Sequence, residues 1–182
     1  MSLNPRIETW KDKRVWIVGA STGIGAALAD ALLAKGARVA VSARRREPLE
    51  AIAAKFGANV AVLPLDINDS AELERSTNAI VARWGGVDVV VCMAGDYKPM
   101  RAWELDLEVA RRMIQTNIQG YLNVLAPVIP LMMKQGSGAI SLVSSVAGFR
   151  GLPQSLSTGR RRRRSSTSPR RCSWTCATAT SA

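Results

Sequence analysis

The sequence predicts an α/β chain in three layers, a doubly wound parallel sheet with helices on both faces, ending after its fifth strand. Two observations predict it. Five short valine-rich runs alternate with segments of helical period, the punctuation of successive βαβ units. The runs also lack polar alternation, as strands buried on both faces do. At 182 residues and 47% hydrophobic, the chain suits one domain with a sizeable core.

The first strand is R-V-W-I-V, residues 14–18, and it empties into G-A-S-T-G-I-G, residues 19–25. The glycine spacing has a physical reading: Gly19 takes the turn off the strand, Gly23 lets backbone amides approach a phosphate, and Gly25 lets the next helix pack closely on the sheet. That helix starts near Gly23, buries Ile24, Leu28, Leu32 and Leu33, and stops at Gly36. The second strand is 38–42, and its helix uses Leu49, Ile52 and Phe56 before Gly57. The third strand, 59–63, leads to a helix over about 71–84 closed by Gly85-Gly86. The fourth strand is 87–91. One long helix from about Leu107 to Lys134 then precedes the fifth strand, 139–143.

Charge divides unevenly along the chain. The net charge is +11, yet residues 1–157 carry eighteen basic and fourteen acidic side chains, a net of only +4, whereas residues 158–182 carry seven arginines and no acid. The excess describes the tail, so nucleic acid is not expected as a partner of the domain. The Arg/Ser-rich tail has no apolar period and is expected to be disordered. Of three cysteines only Cys92 precedes residue 158, which fits a reducing compartment. The start of the chain lacks a charged-then-apolar leader pattern, so a cytoplasmic location is expected. The apolar stretch Ile118–Met133 is interrupted by Gln119, Asn123, Pro127 and Pro130 and reads as a core helix, short of the roughly 20 apolar residues that span a membrane. No metal site is expected.

A glycine-rich loop alone is a weak signal, but G-A-S-T-G-I-G resembles the cofactor loop of the short-chain dehydrogenase/reductase family, and further landmarks follow in order. Asp66 matches the aspartate that contacts adenine. C-M-A-G, residues 92–95, resembles N-N-A-G beside the cofactor, with Cys92 departing from its first asparagine. Asn117 matches the family's structural and catalytic asparagine. In S-S-V-A-G, residues 144–148, Ser145 matches the serine that orients a substrate carbonyl. Taken singly, Asp66 also suits a turn or helix cap, Asn117 a hydrogen bond within helices, and Ser144 or Ser145 a strand terminus.

The resemblance implies a Rossmann-like domain over residues 1–157 that binds NAD(P) through Gly19, Ser21, Thr22, Gly23, Ile24, Gly25, Asp66, Ile67, Ala94, Gly95 and Asn117. It also implies hydride transfer to or from the alcohol or ketone carbon of a small substrate, with Asn117 and Ser145 catalytic. An acidic residue at the end of the second strand would bind the ribose hydroxyls of NAD; here that place reads S-A-R-R-R, residues 42–46. NADP is therefore expected over NAD, with Arg44 on the 2′-phosphate and Arg45 in reserve.

The pattern fails after Ser157. The family has a tyrosine 13 residues after its serine and a lysine four further on; these positions hold Thr158 and Arg162. A threonine alcohol is too weakly acidic to replace a phenol whose pKa a cation has lowered, and arginine cannot hand on a proton. A family-like Y-G-A-S-K-A-A-L-I-H-L-A-E in GC-rich codons, read one base late, becomes T-G-R-R-R-R-R-S-S-T-S-P-R. TAC GGG GCG TCG AAG, for example, gives ACG GGG CGT CGA AGG. Residues 158–182 are thus expected to be out of frame, and this chain to turn over negligibly. A frame-restored parent would carry the helix that, with the fourth, usually builds the family's homodimer or homotetramer. A second reading is a catalytically silent dinucleotide-binding module used for interaction.

Overall fold

The computed structural model describes residues 7–145; predictions that fall on residues 146–182, including Thr158, Arg162 and the tail, lie outside the described residues. Five parallel strands, β1 (Arg14–Val18), β2 (Arg38–Ser42), β3 (Val60–Val62), β4 (Val89–Cys92) and β5 (Ala139–Leu142), form one sheet in the order β3-β2-β1-β4-β5. The crossovers use α1 (Gly23–Ala34), α2 (Glu47–Phe56), α3 (Ser70–Trp84), and then α4 (Leu107–Ile114) and α5 (Gly120–Gln135) joined by a π-helical turn over Gln115–Gln119.

Alternate residues of a strand point to opposite faces, and the core divides accordingly. Val15, Ile17, Val39 and Val41 pack with Ala29, Leu32 and Leu33 of α1 and Leu49 and Ile52 of α2. Trp16, Val18, Ala40, Val90 and Cys92 pack on the other face with Leu73 and Ile80 of α3 and Val124, Val128 and Met132 of α5. The expected three layers are therefore present, each aliphatic side chain contributing about 1.5–3 kcal/mol by its burial. Inside the core the Trp16 indole N–H donates to the buried Ser42 hydroxyl at 2.9 Å.

Four details differ from the sequence reading. Ile24, expected in the core, is 78% exposed, because the first turn of α1 overhangs the carboxyl end of the sheet. β4 begins at Val89, not 87, since both backbone groups of Val87 are taken by the Gln135 side chain, at 3.0 and 2.8 Å. The strands β3 and β5 are shorter than expected, with Asn59 drawn into a 3₁₀ turn over Gly57–Asn59. The long fourth helix is interrupted by the π turn, where the Gly120 N–H bonds back to the Gln115 carbonyl.

Strand order reverses between β1 and β4. Such a switch point leaves a crevice beyond the strand ends, between two chains that turn in opposite directions.

Candidate functional site

At the switch point the two loops are fastened to the sheet by backbone hydrogen bonds. Gly19 and Ala20 donate to the Ser42 carbonyl at 2.7 and 3.1 Å, and Met93 and Ala94 both donate to the Val18 carbonyl at 2.9 Å. Gly19 has φ +106°, and a Cβ there would stand 2.5 Å from the Ala94 nitrogen. Only glycine meets both conditions. A Cβ on Gly25 would overlap the Gly19 carbonyl oxygen, so α1 sits directly on the loop.

The start of α1 is open. Thr22 at its N-cap makes no side-chain cap hydrogen bond, and no acidic residue lies in the first turn. First-turn N–H groups without a cap need an outside acceptor, and the helix dipole favours an anion there. A cleft of about 740 Å³ lies against this terminus, lined there by Gly19, Ser21, Thr22, Ile24 and Gly25.

The opposite wall is the segment after β3, where Leu65, Asp66, Ile67 and Asn68 line the cleft. This segment is locked internally: Asn68 N–H donates to Asp66 Oδ1 at 2.9 Å, Asp66 N–H to Glu72 Oε2 at 2.8 Å, and Glu72 N–H to Asp69 Oδ1 at 3.0 Å. From below, Asn123 Nδ2 donates to the Ile67 carbonyl at 3.2 Å. Asp66 is therefore a turn residue and a cleft residue at once.

Past β2, Arg44 and Arg45 line the cleft and are exposed. Neither has an acidic partner among the described residues, whereas Arg46 pairs with Glu50 at 3.4 Å. Two uncommitted guanidinium groups beside a cleft form a ready receptor for a phosphate.

The far end is bounded by Ala94, Gly95, Thr116 and Val143. Asn117 stands beside it in the π turn, its carboxamide bonded to both backbone groups of Asp96; Asp96 in turn holds Arg112 at 2.6 Å. Cys92 beneath is buried, and burial pushes its thiol up to about 12. Such a thiol stays protonated and inert. Ser145 is exposed, two residues beyond Val143.

Of the residues expected to bind a cofactor, the cleft is lined by Gly19, Ser21, Thr22, Ile24, Gly25, Arg44, Asp66, Ile67, Ala94 and Gly95. Gly23 and Asn117 are not among its lining residues. Gly23 keeps the left-handed backbone a glycine suits, with φ +59°, and Asn117 bonds to the loop instead. The sequence reading included Met93 only within C-M-A-G, and it missed Val18, Ala43, Leu65, Asn68, Thr116 and Val143. Val18, Ala43 and Val143 stand at strand ends and were within reach of it; Thr116 faces the cleft through the π turn, which leaves no mark in the sequence.

The short chain dehydrogenase family model matches residues 13–157. The chain belongs to this family. Mouse dehydrogenase/reductase SDR family member 7 is 34% identical over 155 residues, covering 81% of this chain and 45% of that protein. Glycine betaine reductase ATRR of Emericella nidulans is 37% identical over 141 residues, 75% of this chain and 11% of that one. Levodione reductase superposes with a TM-score of 0.77 at 28% identity, over 82% of this chain and 60% of that chain. An ElxO variant with NADPH bound does so with a TM-score of 0.75 at 30% identity, over 81% and 61%. The chain spans about half the length of the curated relatives it matches. Among the described residues, no helix is long and apolar enough to cross a membrane.

Proposed function

We propose that this chain is the coenzyme-binding part of an NADP-dependent oxidoreductase acting on the alcohol or ketone carbon of a small substrate. The observation that carries the reading is the pairing of the uncapped start of α1 with Arg44 and Arg45 along one cleft. The first accepts a diphosphate through backbone N–H groups; the second meets a 2′-phosphate by charge and fork geometry. An acid at that place would repel the phosphate, and S-A-R-R-R contains none.

When bound, NADP supplies or receives the hydride. The chain's own residues bind and orient. Gly19 and Gly25 let the loop, the start of α1 and the Ala94 backbone pack against one another, Asp66 and Ile67 form the adenine wall, and Ala94 and Gly95 close the other end. Asn117 holds that closing loop, and Ser145 would orient a substrate carbonyl by a hydrogen bond. No phenol–ammonium pair completes the set, since Thr158 and Arg162 stand at the family's proton-transfer positions, so this chain turns over negligibly while a frame-restored version is active.

Fluorescence titration with both reduced coenzymes tests the reading. NADPH is expected to bind at least tenfold more tightly than NADH; tighter NADH binding contradicts it. The silent-module reading is favoured by Thr158 and Arg162 themselves, and it is separated by the frame-restored chain, which on that reading binds coenzyme without turnover.

A further inference from the structure

Both backbone groups of Val143, the residue just past β5, are engaged. Its N–H donates to the Cys92 carbonyl at 2.9 Å, and its carbonyl accepts from the Tyr121 hydroxyl at 3.0 Å. Val143 lines the cleft, and Ser145 follows two residues on. Among the described residues β5 pairs with one strand only, β4, so its exit has no second strand to set its direction. Tyr121 lies one helical turn after Asn117, and its single hydroxyl therefore ties the helical segment that carries Asn117 to the stretch just past β5 that leads to Ser145. Burial, with Cys92 close by, holds the Tyr121 phenol above the ordinary tyrosine range, so it remains a neutral donor at physiological pH. The same ring packs against the α3/α5 side of the core, which fixes the hydroxyl's approach.

We propose that Tyr121 is a positioning residue whose hydroxyl sets the exit of β5, and with it the place of Ser145, two residues beyond the cleft-lining Val143. The proposal rests on the coenzyme-binding reading above. Removing the hydroxyl alone, in Tyr121→Phe, keeps the ring and its packing while leaving the Val143 carbonyl without this donor.

Hydrogen exchange followed by mass spectrometry on the full chain, with and without NADPH, tests it. In the wild-type chain NADPH is expected to slow exchange in two places, residues 19–25 and residues 141–145. In Tyr121→Phe the protection at 19–25 persists, while that at 141–145 is lost and basal exchange there rises roughly threefold to tenfold, the range one neutral hydrogen bond spans. A purely structural tyrosine would not separate the two segments. Equal protection of residues 141–145 in both proteins, or none there in the wild type despite protection at 19–25, overturns the proposal. No NADPH protection at 19–25 in the wild type overturns the coenzyme-binding reading instead. Should Tyr121→Phe fail to fold, Tyr97→Phe leaves Tyr121 as the sole tyrosine. The tyrosine Raman doublet of that chain then reads the hydroxyl's own bond: a hydrogen-donating phenol is expected, and a non-donating one overturns the proposal.

Discussion

Asn117 holds Asp96 by both backbone groups at once: its Oδ1 accepts from the Asp96 N–H at 2.8 Å and its Nδ2 donates to the Asp96 carbonyl at 2.8 Å. The pair joins the π turn to the loop after β4. It also places the amide 3.5 Å from where a Cβ on Gly95 would stand, so helix and loop are fitted to each other. Asn117→Ala leaves two part-buried peptide groups unpaired, and a loss of about 1–3 kcal/mol in unfolding free energy is expected. NADPH affinity should fall several-fold, because the loop at Gly95 and Asp96 is no longer held. Urea denaturation and coenzyme titration of the same variant measure the two effects; an unchanged affinity would show that the loop keeps its place without Asn117.

Arg44 and Arg45 give a charge-specific prediction. Replacing Arg44 and Arg45 together by alanine is expected to weaken NADPH binding about tenfold to a hundredfold, as the loss of charge-assisted phosphate contacts does. NADH binding should change less than threefold. Equal losses for the two coenzymes would place the arginines away from the 2′-phosphate.

Gly19→Ala should be among the most damaging substitutions in the chain. It puts a methyl group against the Ala94 backbone in a conformation, φ +106°, that L-residues rarely adopt, and a cost of more than about 2 kcal/mol is expected. Thermal unfolding reads it directly, and a variant as stable as wild type would contradict the crowded switch point.

Acid stability should depend on the amino end of the sheet. Burial works against the charge on Asp88, but the Arg14 guanidinium, in contact at 2.6 Å, and the Arg14 backbone N–H overcome it and lower the Asp88 pKa. A carboxylate whose pKa is depressed by folding contributes stability above its unfolded value, about 3.9, and loses it as pH falls through the folded value. Asp88→Asn is therefore expected to lower stability at pH 7 and to flatten its decline below about pH 4. Denaturation midpoints against pH check the sign, and parallel curves for the two proteins would contradict it.

The reading frame yields a prediction at the level of DNA. Sequencing across codons 150–165 is expected to show that shifting one base converts the arginine-rich run into a family-like segment with tyrosine at 158 and lysine at 162. Arginine codons unrelated to that segment would reject the shift.

Much of this was legible in the sequence because it depends on local rules. The valine runs, the helix stops at Gly36, Gly57 and Gly85, and the glycine loop each express a backbone requirement that residue type states openly. The pairing of Arg44 with a cleft was legible for the same reason, as a charge placed at a strand end. The missed features depend on long-range geometry. Ile24 has the chemistry of a core residue, and although the family resemblance put it at the cofactor, only the overhang of α1 past the sheet shows that it is exposed and not buried. Val87 has the chemistry of a strand residue, but Gln135, 48 positions away, claims its backbone. The π turn inserts one extra residue into a helix whose apolar period runs almost unbroken through Ile114, Ile118 and Leu122. Periodicity therefore gave no warning that Thr116 would face the cleft and Asn117 the loop.

A crystal structure of the chain grown with NADPH tests the central claim most directly. The account predicts the diphosphate against the first-turn amides of α1, between Gly19 and Ile24, with the 2′-phosphate beside Arg44. A coenzyme bound elsewhere, or a crevice closed by the chain's own side chains, would contradict it.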